Sequence, residues 1–236
     1  MSLNSFFQSF FKHIEELRSR LIKSAGAFVL AFCLCYNFIG QLIPHLIAPA
    51  GHLIFTSPGD AFSAYMMIGA VMALVVSSPY IFYQLWAFIG GALKPSEKKF
   101  VLVFAPLSLL FFLSGGAFAY FVAVPRAYHF LMSFSSVYLV PMVTVKNYLG
   151  FLVHMIVAFG VAFELPLILA FLAKIGIASP EYLRQMRRHA VMIILIVAAL
   201  MAPPDIMSML ILAVPLMFLY EVGIVFMQFF YKHKTL

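Results

Sequence analysis

The stretch HIEELRSRL, His13 to Leu21, sets Glu15 and Glu16 beside Arg18 and Arg20, just ahead of twenty residues without a charge, SAGAFVLAFCLCYNFIGQLI. A carboxylate placed there has two chemistries open to it. It can pair with the arginine four residues on along a helix, a contact worth about 0.3–0.5 kcal/mol. It can also be held for a cation arriving from outside, because an arginine–carboxylate pair is charge-assisted and can be bidentate. Helical spacing alone favours the internal pair for Glu16 and an ordinary surface charge for Glu15. A second acid, Glu164, stands in AFGVAFELPLILAF. A carboxylate at bilayer depth costs about 2.5 kcal/mol or more unless it faces protein or a water-filled cavity, so it marks either a functional site or a neutral acid bonded across a helix interface. Gly160 and Pro166 bracket it, and a kink is expected there. Glu221 lies near the inner end of the last apolar segment and can snorkel. Asp205 in APPDIMS suits a helix N-cap, and Glu97 in KPSEKKF suits a helix start.

Other chemistries find no residues to carry them. The chain has no phosphate loop, no H-E-x-x-H and no G-x-S-x-G elbow. The seven histidines are scattered without ligand spacing, so no metal site and no cofactor is expected. Cys33 and Cys35 are two residues apart, which on a helix points them about 160° away from each other; they cannot bridge and read as small packing residues. No enzyme is expected from these patterns.

The elements that position the acids must be membrane helices. The chain has 236 residues, of which 64% are hydrophobic and 10% charged. Its mean hydropathy is +1.05. Too little polar surface remains to cover a soluble core. The net charge of +7 would suggest nucleic acid in a soluble protein. Here the bases fall in short clusters between apolar runs, as topology signals do, so no nucleic-acid partner is expected.

Crossing a hydrocarbon core of about 30 Å takes about 20 apolar residues. Stretches of that length lie at about 24–43, 64–90, 101–123, 148–173 and 206–227. A sixth, 190–201, reaches only about 18 Å before Pro203 stops it. Thirteen of the fifteen bases lie in four clusters, within residues 12–23, 94–99, 174–188 and 232–234. Placing all four on the cytoplasmic side requires the short segment and its successor to cross or dip together. The expectation is a single membrane domain over 1–236 with six spans and both ends inside. A span this short must thin the bilayer or be shielded by protein. The loops 44–63 and 124–147, long, Pro-containing and apolar, are expected to pack into an outer cap.

Residues 1–23 read as an amphipathic segment lying in the inner interface, with Phe7, Phe10, Ile14, Leu17 and Leu21 recurring at threes and fours. At about 100° per residue from Ile14, Glu16 falls at about 200°, Arg20 at about 240° and Lys12 at about 160°, on the wet side. Arg18 falls among the apolar residues, where it either snorkels to a lipid phosphate or finds a fixed partner on a neighbouring helix.

Five ordered motifs, HIEELRSRL, YQLWAFIGGALKPSEKK, FAYFVAVP, VAFGVAFELP and LMAPPDIMS, together resemble the TatC family, the core membrane component of the twin-arginine protein translocase. The resemblance covers essentially the whole chain. It implies an all-α polytopic fold of six membrane helices with both ends cytoplasmic, in a concave, glove-like arrangement with two short final helices and a periplasmic cap. It implies a bacterial cytoplasmic (inner) membrane location and recognition of the paired arginines of signal peptides on folded cargo. It further implies single-span TatA- and TatB-type partners, more than one copy of the chain in a larger complex, and the protonmotive force as drive.

Carried over residue by residue, the recognition acids are Glu16 and Glu97, with Arg18 beside the first. The intramembrane acid is Glu164. Pro49, Phe88, Pro204 and Asp205 match further positions linked to function. Where the family often has two arginines after the loop acid, this chain has Lys98 and Lys99, which alters hydrogen-bond geometry more than charge. With the resemblance, Glu16 becomes the leading candidate for gripping an arriving arginine, and Arg18 the residue that fixes its helix against neighbours. The alternative from another class is a proton-coupled small-solute transporter with Glu164 as relay.

Overall fold

A backbone surrounded by lipid has to satisfy its N–H and C=O groups within its own segment, and this chain does so with helices. The computed structural model describes residues 3–51, 53–92, 99–135, 141–201 and 206–232. Helix α1 is Leu3–Cys35; a single 3-10 turn, Tyr36–Phe38, joins it to α2, Ile39–Ile47. Then come α3, Pro58–Ala92, and α4, Lys99–Phe118. A π-helical turn, Ala119–Ala123, leads into α5, Val124–Met132. Next are α6, Val145–Phe163, and α7, Leu165–Ile175. The last three are α8, Pro180–Gln185, α9, Arg187–Met201, and α10, Ile206–Lys232. Among the described residues the one β-type pairing is an isolated bridge between Ile54 and Thr144.

Among the described residues five helical stretches are long and apolar enough to cross a membrane: His13–Ala50, Pro58–Gly91, Leu102–Met132, Val145–Ile175 and Met209–Gln228. Of the boundaries that differ from the sequence expectation, three change the layout. The charged N-terminal stretch is not a separate interfacial element, because α1 runs unbroken through it from Leu3 to Cys35. The third stretch does not end at residue 123 but continues to Met132. Pro125 ought to clash with a carbonyl one turn back; the π turn opens the helix there, and the Val124 N–H reaches Ala119 O, five residues back. Finally, α9 starts three residues early, and its 15 residues span about 22 Å, still short of a core of about 30 Å.

The chain divides into two units, residues 1–43 with 68–109, and residues 44–67 with 110–236. In the first, α1 meets α3 where a glycine leaves room: a Cβ on Gly69 would come within 2.9 Å of the Phe32 ring and 3.0 Å of Ile39. Farther along α3, the buried Trp86 donates its indole N–H to Ser108 Oγ on α4 at 2.7 Å and stacks on Phe104 with centroids 5.0 Å apart. Trp86→Phe keeps most of the packing and loses the bond. It is expected to lower stability by about 1 kcal/mol, read as a lower melting temperature of the detergent-solubilised chain.

In the second unit the two loops expected to form a cap do pair with each other. The Ile54 N–H donates to Val143 O and the Val145 N–H to Ile54 O, at 3.1 and 3.0 Å. Tyr128 donates its hydroxyl to Ala50 O and Tyr120 to His45 O. Asp60 closes the start of α3 as a capping box does, accepting from the Ser57 N–H and from both the N–H and hydroxyl of Thr56. Below these loops the helices cross on small residues, as membrane helices must to gain packing without a hydrophobic driving force. A Cβ on Gly160 would lie 2.7 Å from the Phe112 ring, and one on Gly223 would lie 2.7 Å from Leu169 and 3.2 Å from Pro166 Cα.

Candidate functional site

The wheel reading of α1 placed Glu16 and Arg20 on the wet side; the structure turns that face toward protein. Ile14, Leu17 and Leu21 are exposed, at 45, 47 and 67%, while the Arg20 and Glu16 side chains retain 25 and 32% of their surface. The reason is the solvent. Lipid takes the apolar face, and the polar face finds its partners on a neighbouring helix.

Those partners come from α3. Arg20 donates to Glu16 Oε1 twice, from Nε at 3.0 Å and Nη2 at 2.7 Å. Its third edge, Nη1, donates to Gln84 Oε1 at 3.0 Å, and Gln84 Nε2 donates to Tyr80 Oη at 2.7 Å. Gln84 is buried at 7% exposure, so its amide needs partners inside the protein. Residues 84, 88 and 91 recur at helical spacing on one face of α3. Phe88 meets the His13 ring edge-on with centroids 6.4 Å apart. Gly91 lies against the carboxylate itself: a Cβ there would sit 3.5 Å from both Oε1 and Oε2 of Glu16. Both Arg20 bonds converge on Oε1, and Oε2 takes neither. The arrangement is a carboxylate held in position from one side by a guanidinium and floored by a residue without a side chain. It can bind a second guanidinium.

Gln84, Gly91 and Tyr80 were missed at the sequence level. The signal was present as a lone glutamine within an apolar span, four residues after a tyrosine and seven before a glycine. Arg18 is exposed on α1, with Ile14, Leu17 and Leu21.

In the other unit, Glu164 sits at the break between α6 and α7, buried at 8% exposure. The break has a backbone cause. Pro166 lacks an N–H, and the Glu164 N–H donates to Val161 O at 3.1 Å, three residues back instead of four. Pro49 is exposed in a 3-10 turn, Ala48–Ala50. Glu221 is bonded to Arg187 at 2.7 Å, and both are half exposed. Glu97, Pro204 and Asp205 lie outside the described residues. Among the described residues no group of histidine, cysteine or acidic side chains could hold a metal.

Comparison with known proteins gives a consistent result. Residues 12–215 match the family model described as Sec-independent protein translocase protein (TatC). The Sec-independent protein translocase protein TatC of Desulforapulum autotrophicum is 39% identical over 232 residues, covering 95% of this chain and 86% of that one. TatCd of Bacillus subtilis is 34% identical over 223 residues, covering 94 and 92%. A crystal structure described as the twin arginine translocase receptor TatC superposes with a TM-score of 0.84 at 34% identity. It covers 92% of this chain and 99% of that one.

Proposed function

The chain belongs to the TatC family of Sec-independent protein translocase components, and from that premise we propose that it is a receptor for twin-arginine signal peptides. In this reading it is also the platform on which the export machinery for folded proteins assembles. Glu16 is the residue that takes an arginine of the peptide. The observation that carries this is the carboxylate held by Arg20 against the bare Gly91. An arriving guanidinium can add to Oε2, or take over the carboxylate while Arg20 stays on Gln84. Arg20 is thus a resident stand-in for the peptide's arginine, worth about 0.3–0.5 kcal/mol as an i,i+4 pair and therefore readily exchanged. Glu97 supplies the second acid from the stretch of sequence between α3 and α4, and Arg18, exposed beside Glu16, attracts the lipid phosphates that bring the peptide to the surface.

In the same reading the chain sits in a bacterial inner membrane with six spans and both ends cytoplasmic, α9 and α10 crossing as a pair. The short α9 thins the bilayer where single-span TatA- and TatB-type partners assemble with several copies of the chain. The protonmotive force supplies the drive, and Glu164 is the buried acid available to sense it. Pro49, Pro204 and Asp205 are further positions that contribute to this function.

The test is photo-crosslinking of a twin-arginine peptide to the full chain in membranes. Glu16→Ala combined with Glu97→Ala is expected to abolish the crosslink while the protein keeps its melting temperature. An undiminished crosslink removes both acids from the site.

A further inference from the structure

Between α6–α7, α9 and α10 runs a groove of about 880 Å³. Its walls include Val157, Val161 and Ile168 from the first pair, Ile194 and Val197 from α9, and Leu216 from α10. That volume is within the range of small-molecule sites, about 300–1,000 Å³. A helix about 10 Å wide takes roughly 1,600 Å³ over about 20 Å of its length, so a partner helix would cover this groove without filling it.

The charge at one end identifies what fills it. Tyr220, which lines the groove, donates its hydroxyl to Leu183 O at 2.8 Å. Beside it Arg187 Nη2 donates to Glu221 Oε2 at 2.7 Å, with 51 and 49% of the two side chains exposed. Ala190, Ile193 and Ile194 line the groove from α9. Arg187 precedes Ala190 by three residues and Ile194 by seven, and exposed His189 precedes Ile193 by four, so both flank the groove's face of the helix. Glu221 engages one of the five guanidinium donors of Arg187. An apolar trough with cations at one end complements an amphiphile with an anionic head.

We propose that this groove binds an anionic glycerophospholipid, its acyl chains lying along α9 and its phosphate held by Arg187, with His189 adding positive charge from the other edge of the groove's face. Basic pockets between membrane helices bind anionic headgroups in this way. The short α9 suits it, since a helix of 15 residues draws the headgroup layer toward its own first turn. The lipid then serves as a third packing surface that seats α9 on α10 and α6.

The experiment places the full-length chain in phosphatidylcholine nanodiscs doped with phosphatidylglycerol carrying a photoactivatable acyl chain, against phosphatidylcholine carrying the same chain. Labelling by the phosphatidylglycerol probe is expected at Ile194, Val197 or Leu216, about fivefold or more above the phosphatidylcholine probe. Arg187→Gln with His189→Gln is expected to bring the two probes level. Arg188→Gln, on the opposite side of α9, leaves the difference in place. Glu221→Gln separates lipid binding from a merely structural role of the ion pair. The lipid site predicts retained or stronger labelling, because the competing acid is gone, whereas a structural role predicts loss as in the arginine variant. Equal labelling by both headgroups, no response to the double variant, or loss in Glu221→Gln overturns the proposal.

Discussion

Glu16→Gln is expected to weaken binding of a twin-arginine peptide to the full chain by about 30-fold, and Arg20→Gln to tighten it by about two- to fivefold. Glutamine keeps the size of Glu16 and can still accept from Arg20, so folding is preserved while the charge is lost. Removing one member of a hydrogen-bonded charge pair costs about 2–5 kcal/mol. The low end applies because the Glu16 side chain retains 32% of its surface, where solvent screens the interaction. Arg20 is predicted in the opposite direction because it competes for the same oxygen that an incoming guanidinium needs, at 2.7 and 3.0 Å. Fluorescence anisotropy of a labelled peptide on purified chain reads both. If Arg20→Gln and Glu16→Gln weaken binding alike, the two residues act as one structural pair and the exchange is refuted.

The second large effect concerns the scaffold. Gly115→Ala is expected to destabilise the chain by about 2 kcal/mol, the overpacking cost less what alanine gains in a helix, whereas Gly116→Ala, one residue on, is neutral or slightly stabilising. The helical backbone alone treats the two alike, since alanine gains about 1 kcal/mol over glycine in either place. Their surroundings differ. A Cβ on Gly115 would run into the backbone carbonyl of Phe159 on α6, with Phe163 Cβ 2.9 Å away, and backbone cannot swing aside. A Cβ on Gly116 meets Ile156 at 3.5 Å, an ordinary contact. Overpacking of a rigid contact costs about 1–3 kcal/mol, and the upper end applies where no side chain can yield. Denaturation midpoints of the two variants in detergent, measured side by side, decide the point. Similar midpoints would contradict the close backbone approach of α4 to α6 at Gly115.

Much of the helical layout was legible from apolar length, because a membrane helix has to declare itself in composition. Where the reading went astray, the cause was local and physical. The three- and four-residue spacing of Ile14, Leu17 and Leu21 marked an amphipathic face correctly but cannot say whether lipid or water lies against it; Gln84, 64 residues away, turned the charged side inward. The continuation of the third stretch past Pro125 depends on a π turn that leaves no mark in periodicity. Gly115 and Gly116 are identical as letters, and only the neighbouring α6 separates their roles. The break at Glu164 could be foreseen because proline acts through its own backbone, without help from a partner.

At the candidate site the acid was visible and its setting was not. Glu16 drew attention through charge in an apolar chain and through the motifs around it. Tyr80, Gln84 and Gly91, which support it, belong to an apolar span whose letters mostly describe burial. A polar side chain inside such a span was the available clue, since a buried amide must find a partner.

The most direct test of the recognition account is a double-mutant cycle between Glu16→Gln in the chain and replacement of each peptide arginine in turn by glutamine, with affinities measured at fixed salt. The account predicts that one of the two arginines couples to Glu16 by at least about 1.5 kcal/mol, so that losing both partners costs little more than losing one. Additive losses for both arginines would contradict it, because Glu16 would then be touching neither.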